Sequence, residues 1–256
     1  MNDDSRAIAE DYPYEVDGQT EQETNVAPVI TTAPPIPDYL QDTYWWAYVH
    51  PKSVWVFERE WLVNLILWGN MNRLTSTVLD EMDLEANSNV LQVACVYGDF
   101  SNRLASHLGQ SRSRLSIVDI APVQIDNIEK KVAAHDNVSA HLQDSTSMSF
   151  ANDSFDETVV FFLLHEQPED ARRKTVAEAI RVTRPGGRVI FVDYHGPKRS
   201  NPMRYVMKPV LALLEPFAMD LWREELPAFM PTEIQPEQIS SSFYFGGLYQ
   251  KVVLHL

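Results

Sequence analysis

Residues 89–99 read NVLQVACVYGD. Val90 to Val93 is a short apolar run with β-branched residues, and 94–98 has the length of a tight turn. Ser101, Leu104, Ala105 and Leu108 then recur at the three- and four-residue steps of a helix. Strand, tight turn and helix in this order is how an open α/β sheet presents a nucleotide site at the carboxyl end of its first strand. Gly98 is the single glycine of the turn, while Gln92 closes the strand and Ala94, Val96 and Tyr97 fill the bend.

The alternation continues outward. Arg114–Asp119 (RLSIVD) reads as a second strand and 122–134 as a helix. Asp119 stands about 20 residues beyond the turn, where an acid accepts hydrogen bonds from ribose hydroxyls. Val138–Gln143 is a third strand, followed by Asp144 and Ser145. Residues 155–164 (FDETVVFFLL) form a nearly continuous apolar run, as in a central parallel strand covered on both faces. That run ends in His165-Glu166, and a helix follows over 169–183. Arg184-Pro185-Gly186-Gly187 reads as a turn into a fifth strand, 188–193, which ends in Asp193-Tyr194-His195. Residues 242–244 and 248–254 flank a Gly-Gly turn and suggest a closing antiparallel pair.

The ends differ in composition. Residues 1–37 end in a proline cluster and read as a disordered acidic tail, a poor match to an Arg-rich presequence. Residues 1–40 carry −8 of the chain's net charge of −15. The remaining body is also acidic, which argues against nucleic acid as the main partner. One cysteine excludes an internal disulfide. Cys95 reads as a small turn residue rather than a nucleophile. No run of about 18 apolar residues is present to span a bilayer.

Residues 38–87 read as an N-terminal helical cap. Five of the six tryptophans lie there, at 45, 46, 55, 61 and 68. Val54, Phe57, Trp61, Leu65 and Trp68 follow a helical period. The cap either packs on the sheet or lines an apolar substrate pocket beside it. Residues 196–240 read as a second, membrane-facing insertion. It opens with four bases and no acid over 198–208 (Lys198, Arg199, Arg204, Lys208) and continues in an apolar stretch with Pro209 and Pro216 as breaks.

Taken together, VLQVACVYG, IVD, DSTSMSF, SFDETVVFFLLHE and RVTRPGGRVIFVD resemble the class I S-adenosylmethionine (SAM) methyltransferases. The fold this implies is α/β and Rossmann-like, with a seven-stranded, mostly parallel sheet whose last strand is antiparallel. In that pattern the turn reads like LDLGCGTG. Here Gln92 replaces the acid, Ala94 and Val96 replace two glycines, Tyr97 enters the turn and only Gly98 remains. Asp119 for the ribose and Asp144 for the adenine edge are unchanged.

The departures carry a closer resemblance. DTYWWAYVHP (42–51), WLVNLILWGN (61–70), VLQVACVYGD (90–99), FFLLHEQP (161–168) and VDYHGP (192–197) together resemble the rhodoquinone-biosynthesis family, RquA. The resemblance runs from about residue 38 onward. It implies conversion of ubiquinone to rhodoquinone, with a ring methoxy group exchanged for an amine, SAM as amino donor and manganese(II) as the favoured metal. It also implies a peripheral site of action on a quinone-bearing membrane, such as the matrix side of the mitochondrial inner membrane or a bacterial cytoplasmic membrane. No obligate protein partner is implied.

The expected cofactor-binding residues are Gln92, Ala94, Val96, Tyr97, Gly98, Asp119, Asp144 and Ser145. The expected catalytic residues are Gln92, Tyr97, His165 and Tyr194. His165, Glu166, Asp193 and His195 follow adjacent strands, and imidazole with carboxylate suits a manganese ion. The other reading of these four is that His165 is a base or a packed loop residue and Asp193 a cap. Two further functions remain open on sequence grounds. One is an ordinary SAM-dependent methyltransferase on a prenylated phenol, the other a non-catalytic quinone or lipid carrier.

Overall fold

A computed structural model describes residues 34–44, 51–82 and 85–256. Trp45, Trp46 and nearly all of the acidic tail lie outside the described residues. Four short helices open the described chain: α1 (Asp38–Tyr44), α2 (Pro51–Phe57), α3 (Glu60–Ile66) and α4 (Met71–Leu79). The alternating part follows as β1 (Asn89–Val93), α5 (Phe100–Gln110), β2 (Arg114–Asp119), α6 (Pro122–Lys131), β3 (Val138–Leu142), β4 (Phe155–Phe161), α7 (Glu169–Val182) and β5 (Thr183–Tyr194). It ends with α8 (Met203–Leu214), β6 (Ile239–Tyr244) and β7 (Tyr249–His255).

The strands make one seven-stranded sheet in the order β3-β2-β1-β4-β5-β7-β6. β1 pairs in parallel with β2 and β4, and β5 in parallel with β4, whereas β7 runs antiparallel to both β5 and β6. The doubly wound expectation is met, with β7 as the reversed strand. The strand order reverses at β1 and β4, so a crevice opens outside their carboxyl ends.

Period-two alternation distributes the side chains between the two faces. Val90, Val159, Phe161, Ile190 and Val192 join a core with Leu104 and Leu108 of α5 and Leu74 of α4. Leu91, Val93, Val160, Val189 and Phe191 join a second core with Val176 and Ala179 of α7. Gln92 shares the parity of Val90 and so points toward α5, against Ser101.

Four expectations are corrected. The fourth strand stops at Phe161, because Phe162 has φ of +53° and leaves the sheet. Residues 184–187 are a bulge inside a longer strand rather than a turn before it. Thr183 pairs with Phe155 and Arg188 with Glu157, and Gly186 takes the positive φ that the bulge demands. The aromatic cap is two helices instead of one. α2 ends at Phe57 and α3 begins at Glu60, so the continuous 53–68 period is split by Glu58 and Arg59. Pro209 does not break α8. It sits on an exposed side, where the carbonyl it leaves unbonded can take water.

Candidate active site

The crevice at the carboxyl ends of β1, β2 and β4 is a cleft walled by Ala94 and Cys95 of the turn, Asp119, Asp144, Ser145, Glu166 and Gln167, with Tyr39 of α1 across from them. The turn keeps a left-handed backbone at Ala94 (φ +71°) and at Gly98 (φ +78°). A glycine adopts that conformation at no steric cost; alanine does not. Ala94 therefore carries a backbone path that glycine would take without strain.

Asp119 builds the turn as well as the cleft. Its Oδ2 accepts from the Cys95 N–H at 2.8 Å and its Oδ1 from the Ala121 N–H at 2.9 Å. Burial pushes its pKa up, and these backbone donors oppose the shift. Asp144 Oδ1 accepts from both N–H and Oγ1–H of Thr146 at 2.8 Å, which rigidifies the loop after β3. Ser145 Oγ shares Gln167 Nε2 with Thr175 Oγ1. Tyr39 lines the same cleft as Gln167, and burial drives its phenol up to about 12.

Other expected cofactor residues lie behind the wall. Gln92 is fully buried. Its Nε2 donates to Ala94 O at 2.9 Å and to Ser101 Oγ at 2.8 Å, so it staples β1, the turn and α5 together. Tyr97 is outside the cleft wall but touches it: its hydroxyl accepts from Nε2 of the wall residue Gln124 at 2.7 Å, and its ring stacks on Phe57 of the cap at 5.9 Å. The carbonyls of Val96 and Gly98 both accept from Lys131 Nζ at 2.9 Å, and Lys131 is ion-paired with Glu58 of the cap.

The ends of β4 and β5 carry a second cluster. His165 Nδ1 lies 2.9 Å from Asp193 Oδ1, an ion-pair contact off the line of a hydrogen bond. Its Nε2 lies 3.7 Å from Glu166 Oε1. Burial alone disfavours the imidazolium, but Asp193, Glu166 and Glu215 outweigh it and hold the pKa up at about 9. Tyr194 meets the His165 ring edge-on at 4.9 Å. Its phenol, buried, is pushed well up. Neither His165 nor Tyr194 belongs to the cleft wall; Glu166 does.

The four expected manganese ligands do not form a donor set. Asp193 spends Oδ1 on the Tyr194 N–H at 2.7 Å and Oδ2 on the His165 N–H at 3.2 Å. His195 Nδ1 turns to Gly247 O at 2.7 Å and its ring lies on Phe243. Among the described residues no group of three or more His, Cys, Asp or Glu side chains is arranged to hold an ion.

Sequence reasoning missed Tyr39, Gln167, Lys131, Glu215 and Arg172. Arg172 is fully buried on α7, with Nε on Leu164 O and Nη2 on the carbonyls of Gln167 and Phe217. It holds the 164–167 segment that carries His165 and Glu166. A basic residue in an otherwise amphipathic helix gives no local sign of that role.

This cleft and strand order can be set beside known proteins. Residues 90–187 match a methyltransferase domain. The chain is 26% identical over 161 residues to a demethylmenaquinone methyltransferase of Staphylococcus aureus, covering 63% of this chain and 64% of that protein. It is 26% identical over 168 residues to the ubiquinone/menaquinone biosynthesis C-methyltransferase UbiE of Rickettsia prowazekii, covering 58% of this chain and 67% of that one. The match to the first thus spans just under two thirds of the relative's length. Among solved structures, a SAM-dependent methyltransferase from Aquifex aeolicus aligns with a TM-score of 0.52 at 17% identity, over 80% of this chain and 97% of that one. The fold is the Rossmann-like methyltransferase fold.

Proposed function

We propose that this chain is a SAM-dependent transferase that modifies the ring of a polyprenylated quinone, and that the group it transfers is the SAM amine, which replaces a ring methoxy group as in rhodoquinone formation. The observation that supports this reading is the division within the site. Asp119 and Asp144, suited to ribose and adenine, are kept, while the turn beside the methionine half is rebuilt with Gln92, Ala94, Val96 and Tyr97. SAM supplies either its methyl, leaving S-adenosylhomocysteine, or its α-amine. In the second case the amine adds at the methoxy-bearing ring carbon and methanol leaves. The N–Cα bond then breaks by tautomerisation to the hydroquinone imine and hydrolysis, giving the amino-hydroquinone and the α-keto acid of SAM. An amine attacks only with a free lone pair, and a carboxylate beside it favours the protonated form. Gln92 leaves no formal charge at the end of β1. The described side chains give manganese no ligand set.

Methyl transfer is the second reading, favoured by the relatives named as quinone methyltransferases. A quinone acceptor also places the enzyme at a membrane surface, peripherally. The deciding experiment incubates the chain with ubiquinone and SAM carrying nitrogen-15 at the amine. Label in the quinone is the expected result. S-adenosylhomocysteine and a methylated ring in a parallel incubation with demethylmenaquinone, which keeps a free ring carbon, together with unlabelled ubiquinone, establish methyl transfer instead. No SAM binding by calorimetry leaves a quinone carrier.

A further inference from the structure

The cap and α8 leave large apolar side chains in solvent. Trp55, Trp61 and Leu65 of α2 and α3 are 67%, 62% and 64% exposed, and Trp68 just after α3 is 45% exposed. On α8, Met207 and Leu211 face the core while Tyr205, Val206, Val210, Leu213 and Leu214 face outward. A surface helix of a globular protein carries polar residues on that side. The two patches are joined: Trp68 Nε1 donates to Met207 Sδ at 3.1 Å, which seats the end of α3 on α8. Residues 198–214 contain four bases and no acid, in a chain of net charge −15. Lys198, Arg199 and Lys208 are exposed there, and Arg59 lies over the Trp55 ring at 4.2 Å. Glu60 is the one exposed acid on α2 and α3.

We propose that α2, α3 and α8 form one docking face for an anionic lipid surface. Aromatic rings and a branched apolar face enter the headgroup boundary, and the bases meet lipid phosphates. No described helix is long and apolar enough to cross a bilayer, so the contact lies in the interface plane. A second copy is the poorer occupant, because a two-fold contact would bring the same basic edge onto itself. The opposite side of the same cap touches the cofactor turn: Phe57 stacks on Tyr97, and a Cβ on Gly98 would meet Val63 at 3.6 Å. A lipid-held acceptor would therefore arrive beside the rebuilt turn. The inference stands on these exposed faces whether or not the acceptor is a quinone. A chain that floats with vesicles but modifies no quinone keeps it, and one that modifies quinone without floating loses it.

The test is flotation of the full chain with vesicles of phosphatidylcholine alone or mixed with phosphatidylglycerol. Three proteins are compared: the parent, Trp61→Ser/Leu65→Ser/Leu213→Ser, and Lys198→Gln/Arg199→Gln/Lys208→Gln. All six positions are solvent-facing, and circular dichroism checks that both variants fold. The parent should partition onto phosphatidylglycerol vesicles. Each base near the surface contributes about fivefold, so the charge variant should lose roughly a hundredfold in partition coefficient and the apolar variant at least tenfold on both vesicle types. Should the apolar variant fail to fold, the charge variant alone decides. Equal flotation of parent and charge variant overturns the proposal. So does a parent that ignores vesicles but is a dimer by light scattering, with the apolar variant monomeric.

Discussion

Ala94 pays a backbone cost that glycine would not. Its φ of +71° puts a Cβ where the left-handed region crowds it, at about 1–2 kcal/mol. Ala94→Gly should therefore raise stability by roughly 1 kcal/mol, read from the urea midpoint, even after glycine's greater unfolded freedom is subtracted. A lower midpoint would mean that the Cβ makes contacts worth more than the strain. Gln92 calls for the opposite expectation. Glutamate at 92 would lose both donor bonds and set a buried carboxylate against Ala94 O. Gln92→Glu should cost about 2–4 kcal/mol at pH 8. Burial raises the folded pKa of such a carboxyl, so the deficit against the parent should shrink as pH falls toward 5. Paired thermal melts at the two pH values measure it, and a variant as stable as the parent at pH 8 would show that the side chain can turn into the cleft.

At the scale of elements, the cap is tied to the cofactor turn through α6. Lys131 donates to Val96 O and Gly98 O and pairs with Glu58, and Asn127 Nδ2 donates to Glu58 Oε2 at 2.9 Å. Two turn carbonyls thus share one cation. Lys131→Met should destabilise the fold by about 1–3 kcal/mol and weaken SAM binding by calorimetry, because the turn loses its brace and the cap its ion pair. Unchanged binding would separate the cap from the cofactor site.

Across the whole molecule, β4 and β5 bring together groups far apart in the chain. His165 is held charged by Asp193, Glu166 and Glu215, with its pKa raised to about 9. Its folded pKa lies above the unfolded value near 6.5. The stabilisation is therefore complete below about pH 6.5 and is lost as pH rises through 9. Denaturant midpoints should fall between pH 6.5 and 10, by on the order of 2–4 kcal/mol in unfolding free energy. His165→Gln should be less stable at pH 6.5 and lack most of that slope. A parent midpoint flat across this range would mean that the imidazole is neutral when folded.

Much of the fold was legible in the sequence because it is written in local periods. Apolar runs of four to seven residues, helices at 3.6-residue spacing and acids at strand ends place β1, β2, β4 and their helices without tertiary knowledge. Asp119, Asp144 and Ala94 reach the cleft for the same reason, since the end of a parallel strand in a doubly wound sheet opens on the crevice. Direction across the strand was not legible. Gln92, Tyr97 and His195 lie at the expected ends, yet α5, α6 and the β6–β7 turn capture their side chains. Tyr39 and Arg172 have roles only because α1 folds over the cleft and α7 passes beneath residues 164–167. The manganese quartet fell for a related reason: adjacent residues on neighbouring strand ends satisfy one another first, and only packed side chains show which donors remain.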